Sequence, residues 1–213
     1  MKVITFLNPH RKKHFEFFNA MNHPHFNITA NVEIGPFLKY TNEKQMPFNH
    51  ALVYVLAKTA NEIKEFRWRI RDTTIVEHEA VHPSFTVPTK ETEVFSFCTV
   101  AFKKDIALFM ASAKQISEDM FNNPSIEDEA ERDDYLFMSA IPWISFTSIQ
   151  HAMNYHPHDS VPRLSWGKFY KDGSSTKMPV AVQVHHALVD GRHVGAYFEQ
   201  LETILKSPNK YLD

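Results

Sequence analysis

One cysteine, Cys98, stands in 213 residues. A lone thiol excludes an internal disulfide framework and suits a reducing compartment, so the expected location is the cytoplasm. An excess of charge of either sign is also missing. With 23 basic side chains against 25 acidic ones, there is no electrostatic footprint for nucleic acid or an anionic membrane. No apolar run approaches a membrane span, and Met1-Lys-Val-Ile-Thr-Phe6 lacks an apolar region long enough for a secretion signal. Linkers, repeats and low-complexity runs are absent, so residues 1–213 read as a single domain. What is present is apolar mass for a large core, 43% of the residues, including eighteen phenylalanines whose first use is packing.

Periodicity divides the chain into helices and strands, an α/β pattern. Phe15, Phe18 and Met21 recur at helical spacing in residues 10–21, behind a basic start. Phe26, Ile28, Ala30 and Val32 alternate as a strand. Ala51, Leu52, Val55, Leu56 and Ala60 predict a core helix within residues 47–66. Strands are predicted for 67–70, 82–87 and 93–102, an amphipathic helix for 104–120, and a polar, acidic surface connection for 122–134. From Tyr135 a strand runs into Pro142, and the loss of a ladder donor there is expected to free Ser139 from regular pairing. Residues 163–170 alternate into an Asp172-Gly173 turn and pair with a strand beginning at Lys177.

The stretch Met178-Pro-Val-Ala-Val-Gln-Val-His-His-Ala-Leu-Val-Asp-Gly-Arg-His-Val-Gly195 changes period midway. Val180, Val182, Val184 and His186 share one strand face, and Ala181, Gln183 and His185 share the other. After Leu188, the residues Val194, Tyr197, Phe198, Leu201, Ile204 and Leu205 follow helical spacing, with Asp190-Gly191 as the turn and expected N-cap. An imidazole is thereby set at the open end of a buried strand. Partial desolvation and an orienting hydrogen bond favour a neutral ring there, which is what a general base requires. Two other readings use the same residues: a core histidine with one satisfied nitrogen, and a metal site drawn from His185, His186, Asp190 and His193. Alternation sends His185 away from His186, so at most part of that set converges, and no metal is expected.

These residues carry a resemblance. His185-His-Ala-Leu-Val-Asp-Gly191 matches the HHxxxDG signature of coenzyme A-dependent acyltransferases, and its flanks resemble the chloramphenicol acetyltransferase version. Arg11-Lys-Lys-His-Phe-Glu16 resembles that family's opening motif, Lys90-Glu-Thr-Glu-Val-Phe-Ser96 its ETETFS segment, and Ser139-Ala-Ile-Pro-Trp143 its Ser-Ala-x-Pro-Trp motif. HHxxxDG is shared with dihydrolipoyl acyltransferase cores, condensation domains and plant acyltransferases. The flanks, and the absence of a lipoyl or linker region, favour the chloramphenicol type. The likeness runs from Arg11 through Leu205. It implies a two-layer α/β sandwich with a mixed β-sheet, acetyl-CoA as co-substrate, and a homotrimer in which His186 faces a pocket built largely by a neighbouring subunit.

The resemblance also implies roles. His186 takes the proton of an acceptor hydroxyl as that oxygen attacks the thioester, and Ser139 donates to the resulting oxyanion. Arg11 pairs with Asp190 to brace the site, and a backbone carbonyl holds the histidine tautomer. Transfer is direct, unlike a serine hydrolase with Ser139 as nucleophile, and no G-x-S-x-G elbow surrounds that serine. Trp143 lines the site. Lys168 lies near coenzyme A, where a cation suits the phosphates. Ser165 takes the place of a water-holding threonine, with one methyl fewer to fix its rotamer.

The acceptor pocket corresponds to Phe17, Phe18, Phe26, Phe95, Phe97, Ile149, His151 and Met153. Phe18 replaces a tyrosine whose hydroxyl is worth about 1 kcal/mol. Phe97 replaces a small residue and His151 a leucine, changes of volume and polarity that weaken a fit to chloramphenicol. The expected activity is an acetyl-CoA-dependent O-acetyltransferase with chloramphenicol as first-named acceptor. The alternatives are another small hydroxyl acceptor, or an idle ligand-binding relative.

Overall fold

The computed structural model describes residues 1–90, 93–127, 129, 132–154 and 159–213. Its main sheet joins, in spatial order, β2 (His25–Glu33), β10 (Ser175–His185), β8 (Arg163–Gly167), β7 (Tyr135–Ile141), β5 (His82–Val87) and β6 (Ser96–Thr99), with the short β9 (Tyr170–Asp172) also paired to β10. The sheet is mixed: β5, β7 and β8 run parallel, and the remaining pairs are antiparallel. A small second sheet orders β1 (Lys2–Ile4), β4 (Thr74–Glu77) and β3 (Trp68–Arg71).

Alternation decides what each face of the main sheet meets. Val180, Val182 and Val184 of β10, Leu164 and Trp166 of β8, and Leu136 and Met138 of β7 join one buried core with the helices α3 (Phe48–Asn61), α4 (Ile106–Asn122) and α5 (Gly191–Lys206). Gln183, Arg163, Ser165, Phe137 and Ser139 occupy the other face, in register across the same strands. Helices on one face and a polar opposite face give the two-layer α/β arrangement with a mixed sheet. Starts of helices are written locally. Asn8 caps α1 (Pro9–Asn19) by accepting from the amides of His10 and Arg11, and Asp105 caps α4 by accepting from Ala107 and Leu108. No helix among the described residues is long and apolar enough to cross a membrane.

Several expectations need correction. Ser139 is not freed from pairing: it lies within β7 in register with Ser165, and the strand continues to Ile141, because Pro142 forfeits a donor only at its own position. The strand expected at 93–102 contracts to Ser96–Thr99, and α2 (Gly35–Glu43), β1 and β4 are additional. Within the ETETFS-like segment, Glu91 and Thr92 lie outside the described residues.

Arg69, read from sequence only as part of a strand, is wholly buried. Its guanidinium donates to the carbonyls of Phe66, Trp68, Asp133 and Tyr135 at 2.5 to 2.9 Å, joining the small sheet to the start of β7. Burial pulls its pKa down to about 10, still charged at neutral pH. Replacing it with methionine strands four buried acceptors. Arg69→Met is therefore expected to lose about 3–5 kcal/mol of stability in a denaturant titration, whereas an arginine that only filled space would cost far less.

Candidate active site

At the end of β10 the two adjacent histidines diverge. His185 is buried on the polar face and meets the edge of the His25 ring at 4.9 Å, and His25 Nε2 lies 2.6 Å from the Asp159 carbonyl. His186 comes just after the strand, half-buried, with its amide donating to the Pro24 carbonyl at 2.8 Å. Its ring stacks on Phe18 with centroids 3.9 Å apart and planes 20° apart, and it touches Phe26 at 4.6 Å and the edge of His14 at 5.5 Å. Phe17 packs at right angles on Phe18, 5.2 Å away, and is itself 63% exposed. The backbone carbonyl expected to hold the tautomer is not engaged among the described residues, where Nδ1 of His186 is buried without a hydrogen-bond partner. Aromatic stacking orients the ring instead.

Arg11 and Asp190 do not pair directly. Arg11 donates to the Leu188 carbonyl at 2.9 Å and contacts His14 Nδ1 at 3.1 Å, while its guanidinium lies 4.3 Å over the Phe6 ring. Asp190 is occupied as the N-cap of α5, where its carboxylate accepts from the Arg192 amide at 3.1 Å. That amide is the main reason its pKa lies below the usual carboxylate range, helped by His186, His193 and His14. Arginine can only donate, so His14 Nδ1 accepts and the proton sits on Nε2, which faces Asp190 Oδ2 at 3.8 Å. Burial, then the charge of Arg11, lowers the pKa of His14 and keeps it in that neutral form.

The same bond decides the question of a metal. His185 and His193 do not join the candidate ligand set: the former points to the opposite face, and His193 Nδ1 accepts from the Asp190 amide at 2.9 Å. The groups that converge are His14, His186 and Asp190, with ligand atoms within 4.8 Å of one another. With Nδ1 taken by Arg11 and Nε2 protonated, His14 has no lone pair to offer an ion.

The other expected residues gather at a separate place. Ser139 opens on two cavities at once. One, of about 710 Å³, is largely apolar and is lined by Val87, Pro88, Phe95, Ile141, Trp143, Trp166 and Phe169, with Lys168 as its cation. The second, of about 420 Å³, is lined by Ser84, Thr86, Phe95, Phe97, Phe137, His151 and Arg163. Residues 149–153 run across the polar face of the sheet as a strap. Asn27 Nδ2 donates to the Ile149 carbonyl at 2.8 Å, the His151 amide donates to Gln183 Oε1 at 3.1 Å, and Gln183 Nε2 reaches Met153 Sδ at 2.7 Å. Ile149 and Met153 thus fasten the strap to the sheet.

Strand geometry separates the two groups. Ser139 is in register with Ser165, which is in register with Ala181, and His186 lies five residues beyond Ala181. Strand spacing and rise place the Ser139 and His186 backbones roughly 19 Å apart. Sequence reading missed His14, although it sits inside the quoted opening motif, and also Glu65, a buried carboxylate 3.6 Å from His193 Nε2.

Buried imidazoles make the fold sensitive to acid. Desolvation lowers the pKa of His25, His50, His82, His151 and His193 below the ordinary 6.5. Below pH of about 6.5 the unfolded chain takes up protons that the folded chain refuses, so stability is complete above that pH and declines as pH falls. A melting temperature that is level above about pH 7 and falls towards pH 5 is expected. A level or rising profile over that range would contradict it.

Comparison with known proteins follows the same lines. A sequence profile of the chloramphenicol acetyltransferase family matches residues 2–202. A chloramphenicol acetyltransferase of Escherichia coli is 33% identical over 193 residues, 91% of this chain and 88% of its own. Chloramphenicol acetyltransferase 3 of Escherichia coli is 28% identical over 201 residues, 94% of each chain. Among solved structures, a chloramphenicol acetyltransferase superposes with a TM-score of 0.86 at 26% identity, covering 96% of this chain and 99% of that one.

Proposed function

This chain belongs to the chloramphenicol acetyltransferase family, and we propose that it transfers an acetyl group from acetyl-CoA to a hydroxyl of chloramphenicol, with His186 as general base. The observation that carries this reading is the setting of His186. It is half-buried at a strand end and stacked on Phe18. An imidazole so held can accept the acceptor's proton through Nε2 without changing its orientation. Ser139, which lines both cavities, would donate where charge develops on the reacting carbonyl oxygen. Arg11, His14 and Asp190 brace the turn that carries His186.

Acetyl-CoA supplies the activated acyl group. The larger cavity suits its pantetheine arm through Trp143, Ile141 and Phe169, and Lys168 suits its phosphates. The smaller cavity, with Phe95, Phe97 and His151, suits the acceptor.

We place the working site between chains, in a homotrimer. A base and an oxyanion donor roughly 19 Å apart cannot serve one reacting centre, which needs its groups within about 3.5 Å. The outer edge of β2, next to the His186 turn, has no strand partner among the described residues, and exposed Phe17 and Trp143 provide apolar surface. Cys98 is buried and unpaired, in keeping with a cytoplasmic setting. Release of free thiol on mixing the protein with acetyl-CoA and chloramphenicol tests the reading. No release in the presence of chloramphenicol overturns it.

A further inference from the structure

One contact of the strap belongs to none of the roles above. His151 Nε2 lies 2.7 Å from Ser165 Oγ, and Ser165 is completely buried. Ser165 pairs in register with Ser139 on the adjacent parallel strand, so both side chains rise from the same face with their backbones about 5 Å apart.

We propose that His151 is a positioning residue: its Nε2–H donates to Ser165 Oγ and fixes the buried serine that stands in register beside Ser139, and so steadies the placement of the Ser139 hydroxyl. The inference rests on the function proposed above.

The need for such a device is local. A serine has three staggered wells at χ1 and no β-methyl to choose among them. A buried hydroxyl without a partner is costly, and His151 is the partner this one has among the described residues. The ring can act as a fixed point because it is fixed itself. Its amide is tied to Gln183 Oε1, and Gln183 is in turn buried and bound to Met153 at the far end of the strap. Burial, followed by the nearby charge of Arg163, lowers the pKa of His151, so the ring is neutral at working pH and keeps one N–H. His151 also lines the smaller cavity, and it therefore couples acceptor contact to the placement of Ser165.

The test is a steady-state comparison with chloramphenicol and acetyl-CoA. His151→Leu is expected to lower kcat about tenfold with KM for acetyl-CoA unchanged, the pattern of a lost transition-state contact. Adding Ser165→Thr, whose methyl selects its own rotamer, should return most of the lost kcat to the His151→Leu protein. Simple damage to packing would not be repaired that way. His151→Gln, which keeps an N–H at the same reach, should lose no more than about threefold and covers the case in which the leucine variant fails to fold. Normal kcat in His151→Leu, a change in KM alone, or no rescue by Ser165→Thr overturns the positioning role and leaves the reading of function intact. No turnover by the unmodified protein overturns both.

Discussion

His186→Ala is expected to lower chloramphenicol-dependent thiol release by about 10³-fold or more, the upper part of the range for a general base. No neighbouring group among the described residues can take over. His14 touches His186, but its Nδ1 lone pair faces Arg11 and its Nε2 is protonated, so it cannot accept a proton from an acceptor. Asp190 is held by the Arg192 amide and its pKa is depressed, which makes it a poor base. Folding should be nearly unaffected. The substitution loses the stack on Phe18, worth about 1 kcal/mol, but it also removes a buried Nδ1 that has no hydrogen-bond partner among the described residues. An unchanged melting temperature beside a collapsed rate separates lost chemistry from lost folding. A folded variant with undiminished rate would assign the proton transfer elsewhere.

The second large effect concerns a mixture. His186→Ala and Ser139→Ala proteins, each nearly inactive alone, are expected to regain activity when co-expressed in equal amounts. If the base comes from one chain and the oxyanion donor from the next, random assembly gives about a quarter of the sites one intact partner of each kind. The rate should then recover to about a quarter of that of the unmodified protein. Separately purified variants that cannot exchange subunits should stay inactive when mixed. If both groups served within one chain, no proportion of the two variants would restore turnover. The prediction follows from register alone, since five residues along β10 and two strands across separate Ser139 from His186.

The sequence disclosed some of this and withheld the rest for physical reasons. The passage from β10 to α5 was legible because three alternating valines yield to helical spacing at an aspartate that caps the helix. The central helix α3 was legible from its nearly continuous apolar run. The helix α2 was not, since it opens on Gly35-Pro36 and buries only Phe37, Tyr40 and Thr41. Strands of three or four residues, such as β1 and β4, hold too few alternations to register as a pattern. Arg69 was hidden because an arginine in a strand reads as solvent-facing, and the four carbonyls that bury it come partly from residues some sixty positions away.

The site divides the same way. Motifs named His186, Ser139, Asp190 and Arg11, yet no motif states that Arg11 reaches Leu188 and His14 before Asp190. Nor does any spacing show that His151 meets Ser165. Both contacts depend on where a loop or helix lands on a distant strand.

The position of β10 has a consequence for biosynthesis. It lies second in the sheet, yet it is made after every other strand among the described residues, and its partner β2 is translated about 150 residues earlier. Until residues 175–185 leave the ribosome, β2 has no neighbour and β8 presents a bare edge. The growing polypeptide must therefore keep this sheet unclosed, with strand edges available to other molecules, until that point. Closure arrives with the same few residues that deliver the imidazole, so a prematurely terminated product lacks both its chemistry and its means of burying itself.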